Sequence, residues 1–110
     1  MNVNELMVGD WVNYRGIYNR IAPADFCHFE WINEIKPILL TPEILKKNEF
    51  EKWDGWYIYS LENFGIEIAF AGTILKIGGE CGTLELPAII YVHQLQHALK
   101  LCRIKMEIEL

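Results

Sequence analysis

The chain has 110 residues, of which 52% are hydrophobic, and its ten Lys or Arg and fifteen Asp or Glu give a net charge of −5. This composition excludes a disordered chain, and the negative charge disfavours a protein that relies on contacts with phosphate. The length predicts a single domain over residues 1–110, with an N-terminal meander at about 5–40 and the other elements at about 41–110.

The cysteines and the N-terminal residues indicate the cellular compartment. Three cysteines are an odd number, and no C-x-x-C pair is present, so neither a disulfide framework nor a zinc ribbon is expected. The first residues lack the basic and apolar regions of a signal peptide, and no apolar run reaches the roughly 18 residues of a membrane span. We therefore expect a reduced, cytoplasmic protein.

The N-terminal third predicts three short antiparallel strands. Residues 8–14 alternate between the two sides of a strand, Arg15 and Gly16 supply a turn, and residues 17–21 return as a second strand. The alternation resumes over residues 26–32, which predicts a third strand. A meander of this kind is typical of SH3-like modules, among other all-β modules.

A short capped helix follows this meander. Residues 35–40 predict an extended connector or edge strand, because the proline among them lacks an amide hydrogen. Thr41 can cap a helix whose first residue is a proline and whose last turn carries two lysines, so we expect a helix over residues 42–47. Asn48 can adopt the left-handed conformation that ends it.

A second antiparallel meander is predicted after this helix. Asp54 and Gly55 form a two-residue connection that favours a type I′ hairpin, with Trp53 opposite Trp56. The glycine-rich residues 78–82 predict a flexible loop. They lack the Lys and Ser/Thr of a phosphate-binding loop and no helix start follows them, so a plain turn is preferred over a phosphate site. The predicted strands are residues 50–53, 56–61, 66–70, 73–77 and 84–86.

The longest helix-compatible stretch lies near the C-terminus, at about residues 91–102. Its apolar residues recur at intervals of three and four, which predicts one buried face. That stripe consists of Val92, Leu95, Leu99 and Cys102. Residues 104–110 then alternate with a period of two, and we expect the chain to end in a strand.

Two histidines on this helix are the main candidates for a metal site. His93 and His97 are four residues apart, a spacing that can hold zinc, but the zincin general base is replaced by Gln94. A third ligand would have to be Cys81, His28 or a distant carboxylate. We therefore expect the pair to lie off the buried stripe and face solvent, and we predict no metal, no other cofactor and no catalytic residues.

The N-terminal strands are the candidate surface for nucleic acid. Arg15 and Arg20 lie among Trp11, Tyr14 and Tyr18, which resembles an aromatic and basic surface for single strands. Nearby carboxylates dilute this pattern, so a small sheet of mixed surface charge is the preferred interpretation.

Three pieces of the sequence together resemble one family. They are Asn-Glu-Leu-Met-Val-Gly-Asp-Trp-Val at residues 4–12, Leu-Thr-Pro-Glu-Ile-Leu at residues 40–45 with Phe-Glu-Lys at 50–52, and Tyr-Val-His-Gln-Leu-Gln at residues 91–96. The chain resembles an uncharacterised family of small proteins of Bacteroidetes genomes and their phages and prophages. Family members continue after Gln96 with an asparagine and an aromatic-rich helix end, so the pattern supplies His93 but not His97. The resemblance implies a genomic setting and no activity.

These observations predict an α+β protein. It would combine antiparallel β-meanders, the first of them SH3-like, with one short capped helix and a longer C-terminal helix packed on the sheet. No catalytic motif is present, so the leading hypothesis is a non-catalytic, phage- or mobile-element-associated binding protein. Its partner is unknown, and a protein is the partner considered. The alternatives are a nucleic-acid-binding module that uses the N-terminal strands, and a metal-dependent hydrolase that uses His93 and His97.

Overall fold

The computed structural model describes residues 5–27, 29–61, 65–79 and 82–110. The chain divides into two compact units: Met1–Leu40 with Tyr91–Ile108 and Leu110, and Thr41–Ile90 with Glu109. Two antiparallel sheets, of three and five strands, and two α-helices confirm the predicted α+β class. Within the described ranges, no helix has the length and apolar character needed to cross a membrane.

The sheet of the first unit contains β1 (Trp11–Tyr14), β2 (Ile17–Arg20) and β3 (Ile35–Lys36), in the order β2-β1-β3. The predicted turn is confirmed: Arg15 and Gly16 have φ values of +52° and +84°, the positive signs that a type I′ hairpin requires. One buried cluster in this unit consists of Leu6, Val12, Ile21 and Ile35. The two-residue β3 is the edge strand expected near residue 35, and an SH3-like arrangement is not confirmed.

The strand predicted over residues 26–32 is wrong. The chain instead forms two 3-10 helices, Pro23–Cys27 and Phe29–Glu34. Asp25 Oδ2 accepts a hydrogen bond from the Ala22 amide at 2.7 Å, and Trp31 Nε1 donates to the Asp25 carbonyl at 2.8 Å. These local bonds between side chains and backbone favour a turn over an extended ladder.

The long helix α2 (Val92–Leu101) belongs to the first unit. Tyr91 precedes it, and its amide donates to Gln94 Oε1 at 3.0 Å. The predicted apolar stripe is confirmed at three of its positions, because the buried residues include Val92, Leu95 and Leu99. Cys102 follows the helix as a half-buried free thiol.

The terminal strand predicted over residues 104–110 is also wrong. Ile104 and Ile108 are buried, so the alternation correctly indicated one covered side, but the segment joins no sheet. The Ile108 carbonyl accepts instead from Trp11 Nε1 at 2.7 Å and from an Arg20 guanidinium nitrogen at 3.2 Å. Side-chain donors therefore take the place of a neighbouring strand.

In the second unit, α1 (Pro42–Lys47) has the predicted bounds. Thr41 Oγ1 accepts from the Ile44 amide at 3.3 Å, which confirms the predicted cap. The predicted left-handed conformation of Asn48 is wrong: its φ is −93°, and Glu49 has φ +68°. The Asn48 amide still bonds to the Ile44 carbonyl at 3.1 Å, so the left-handed residue comes one position later.

Five antiparallel strands follow in sequence order: β4 (Glu51–Trp53), β5 (Trp56–Leu61), β6 (Ile66–Ala71), β7 (Ile74–Gly79) and β8 (Gly82–Leu86). The predicted type I′ hairpin is confirmed, because Asp54 and Gly55 have φ values of +48° and +83°. Trp53 and Trp56 are paired across it.

The flexible loop predicted at residues 78–82 is wrong where the structure describes it. Gly78 and Gly79 end β7 and Gly82 begins β8, while residues 80 and 81 lie outside the described ranges. A Cβ on Gly78 would lie 2.6 Å from Thr83 Oγ1, so this glycine allows two strands to approach closely. The turn predicted before β6 falls largely on residues 62–64, which are also outside the described ranges.

Candidate functional site

The two histidines of α2 do not both face solvent, so that prediction is wrong. His93 is only 4% exposed, and His97 is half-buried. The apolar period predicted one buried face, but residues 7–11, a loop that ends at the first residue of β1, contact α2 on another side. We call this segment the 7–11 loop.

An aspartate of the 7–11 loop bonds to His97. Asp10 is fully buried, and its Oδ2 lies 2.6 Å from His97 Nε2 and accepts from the Met7 amide at 2.8 Å. The imidazole ring of His97 and the carboxylate of Asp10 therefore form a direct hydrogen bond. One carboxylate oxygen thus closes the turn of the loop and joins the loop to the helix.

Two further side chains of α2 bond to the backbone of the 7–11 loop. Gln96 Oε1 accepts from the Trp11 amide at 2.9 Å, and Gln96 Nε2 donates to the Gly9 carbonyl at 3.0 Å. Lys100 Nζ donates to the Val8 carbonyl at 2.7 Å. Gln96, His97 and Lys100 share one side of the helix by their spacing, so this polar side is a structural contact.

His93 packs against two aromatic rings, and its pKa is shifted. Its ring stacks on Tyr91 at 5.8 Å between centroids and meets the edge of His97 at 5.5 Å. Burial lowers the pKa of His93, and His97 adds to this effect, while the carboxylates of Asp10 and Glu5 oppose it. Among the described residues, His93 Nδ1 and Asp10 Oδ1 are buried without a hydrogen-bond partner.

An open cleft of about 450 Å³ lies beside this cluster, with Glu5, Tyr91, His93 and His97 on its walls. Within the described residues, no group of three His, Cys, Asp or Glu side chains could hold a metal ion. His28 and Cys81, which the sequence suggested as third ligands, lie outside those residues. The hydrogen bonds of this cluster hold a loop on a helix, and no specific observation favours hydrolase chemistry here.

The arginines of the N-terminal hairpin are paired with carboxylates. Arg15 bonds to both carboxylate oxygens of Glu34, at 2.9 and 3.1 Å, and the hydrogen bond from Arg15 lowers the pKa of Glu34. Arg20 lies 2.9 Å from a Glu107 oxygen, with its guanidinium 4.8 Å from the centroid of the Trp11 ring. Each positive charge is therefore offset by a carboxylate within hydrogen-bonding distance, which disfavours a phosphate-binding surface.

The register of the five-stranded sheet shows which residues share each of its two sides. Alternate residues point to opposite sides, and one side holds the buried Ile68, Phe70, Leu75 and Ile77. The opposite side holds Trp53, Trp56, Ile58, Ala69, Ala71 and Ile74. We call these six apolar residues the tryptophan face. The same side also carries polar and charged residues, namely Glu51, Ser60, Glu67, Lys76, Thr83 and Glu85.

The apolar residues lie together at one end of this side: Trp53 pairs with Trp56, and Ala71 pairs with Ile74. Trp53 is 69% exposed, Ile74 is exposed, and Trp56 is half-buried. Lys76 Nζ lies 5.1 Å from the centroid of the Trp56 ring and 4.0 Å from a Glu85 oxygen. A water-facing side of an antiparallel sheet is usually polar, so the exposed Trp53 and Ile74 of this face are typical of a contact surface.

Sequence reasoning did not identify this face, although a signal was present. Residues 56–59 read Trp-Tyr-Ile-Tyr, with no polar residue at alternate positions. A continuous apolar run in a strand indicates that both of its sides are apolar.

Comparison with known proteins does not add to this description. No protein-family model, no curated protein and no solved structure matches the chain. The resemblance to the Bacteroidetes and phage family remains a prediction from the sequence.

Proposed function

We propose that this chain is a non-catalytic binding protein that engages a protein partner through the tryptophan face. The observation that carries the proposal is the 69% exposure of Trp53, which pairs with Trp56 at the apolar end of this sheet side. Tryptophan is enriched among the few residues that supply most of the binding energy of protein interfaces. A contiguous apolar patch that remains accessible is typical of such an interface.

The other candidate surfaces support the proposal by contrast. His97, Gln96 and Lys100 are engaged in holding the 7–11 loop. Arg15 and Arg20 are engaged with carboxylates. Trp53, the most exposed residue of the tryptophan face, has no comparable role within the described part of the chain.

The setting of this function is part of the proposal. The free thiol of Cys102 fits a reducing, cytoplasmic compartment. The family resemblance adds a phage or mobile element as the genomic setting, so the partner would be a protein of that element or of its host.

The test begins with a photo-cross-linking amino acid in place of Trp53, introduced in cells that naturally carry the gene. The same amino acid in place of Leu101, which is 73% exposed on α2, is the matched control. We expect a discrete protein adduct from position 53 that is absent from position 101.

The purified partner then allows the affinity to be measured. Trp53→Ala should raise Kd about thirtyfold, corresponding to about 2 kcal/mol, whereas Leu101→Ala should change it less than about twofold. Identical adducts from both positions, or an unchanged Kd for Trp53→Ala, would contradict the proposal.

A further inference from the structure

The strand β8 forms one edge of the five-stranded sheet. It pairs with β7 over all five of its residues, and no strand lies on its other side among the described residues. The first four residues of β8 are exposed. The outward N–H and C=O groups of such an edge can pair with another strand unless the chain protects them.

The two edges of this sheet differ in protection. The opposite edge, β4, has only three residues, and Lys52 is at its centre. Shortness and a lysine are both common ways to prevent edge pairing. β8 is longer, contains neither lysine nor proline, and has no bulge in its register with β7. Its single charge, Glu85, already lies near Lys76.

The sequence of β8 is complementary to itself in the antiparallel direction. A two-fold axis at Leu84 uses all five residues and places Leu84 opposite Leu84 of a second copy. Thr83 then lies opposite Glu85, and Gly82 lies opposite Leu86, so no like charges meet. Pro87 has no amide hydrogen and limits the pairing to β8 itself.

The exposure of Leu84 supports this arrangement. Leu84 pairs with Ile77 of β7 and thus points to the side of the sheet that holds the buried core residues. It is nevertheless 42% exposed, because no strand covers it from the outer edge. The same residue of a second copy would remove this apolar surface from water.

We propose that the chain forms a symmetric dimer by antiparallel pairing of β8 with β8 of a second copy. The two-fold axis closes the assembly at two chains, with the short β4 at each outer end of the joined sheet. This contact uses the strand edge and leaves the tryptophan face accessible, so it is independent of the proposed function.

The test measures the mass of the full chain by light scattering and sedimentation from about 1 µM to about 1 mM, a range that spans weak association. We expect the mass to rise with concentration to twice 12.9 kDa and no further. A monomer over the whole range, or species larger than a dimer, would overturn the proposal.

Substitutions at Thr83 test the register. Thr83→Glu would place two carboxylates opposite each other, and Thr83→Lys would place a lysine opposite Glu85. Each pair occurs twice in the symmetric contact, so we expect Thr83→Glu to raise the dimer Kd by about 2- to 30-fold and Thr83→Lys to lower it similarly. Equal dimer affinities for these two variants would overturn the β8 pairing.

A lysine at the two-fold axis tests the edge itself. Leu84→Lys brings two ammonium groups together and should abolish the dimer. Ile74→Lys is the matched control, because Ile74 is also exposed but lies on β7, inside the sheet. Circular dichroism of each variant at low concentration verifies that the monomer is folded. A dimer that persists in a folded Leu84→Lys variant would place the contact elsewhere.

Discussion

Asp10 connects two distant parts of the sequence through a single carboxylate oxygen. Oδ2 bonds to the amide of Met7, three residues away, and to His97, 87 residues away. The residue is fully buried, where an unpaired carboxylate would be strongly unfavourable. Two segments far apart in sequence, around Asp10 and around His97, therefore meet in a structural contact.

His93 should make stability depend on pH. Its pKa is lowered in the folded state, mainly by burial, so the folded chain binds fewer protons than the unfolded chain below about pH 6.5. The free energy of unfolding should therefore decrease as pH falls from about 6.5 towards the lower folded pKa. His93→Gln should weaken this dependence, as measured by urea unfolding between about pH 7.5 and 5.5. Equal slopes for the two proteins would contradict the assignment.

At the scale of elements, α2 makes contacts on two sides with different chemistry. One side carries Leu95 and Leu99 into the core. Another uses Gln96, His97 and Lys100 to hold the 7–11 loop. The stability of the loop and that of the helix are thus coupled, because each provides hydrogen-bond partners for the other.

The apolar side of α2 can be tested with two leucines of the same helix. Leu95 is buried and Leu101 is exposed. Leu95→Ala should lower the free energy of unfolding by about 2–5 kcal/mol, whereas Leu101→Ala should change it by no more than about 0.5 kcal/mol. Thermal and denaturant unfolding measure both values. Similar losses for the two variants would show that the buried side is assigned wrongly.

For the whole molecule, the charge distribution argues against nucleic acid as the main ligand. The net charge is −5, and the arginines of the N-terminal hairpin are paired with Glu34 and Glu107. We expect weak, nonspecific binding at most when labelled oligonucleotides are titrated at about 0.15 M salt, where screening limits electrostatic reach to about 8 Å. A submicromolar Kd with a steep salt dependence would overturn this expectation and favour Arg15 and Arg20 as contacts.

The features that the sequence alone determined depend on short-range interactions. The Asp54-Gly55 turn follows from the positive φ values that these residue types tolerate, and α1 follows from a cap and a proline within three residues. The stripe of α2 follows from the helical period. Each of these signals is complete within a few neighbouring residues.

Only the tertiary structure decided what covers each apolar or polar side. Residues 104–110 alternate like a strand, yet the Ile108 carbonyl bonds to Trp11 and Arg20. His93 and His97 lie off the apolar stripe, yet the 7–11 loop bonds to His97 through Asp10. A periodic pattern indicates that a side is covered, but the group that covers it lies far away in sequence, where hydrogen-bond donors and acceptors meet only after the chain has folded.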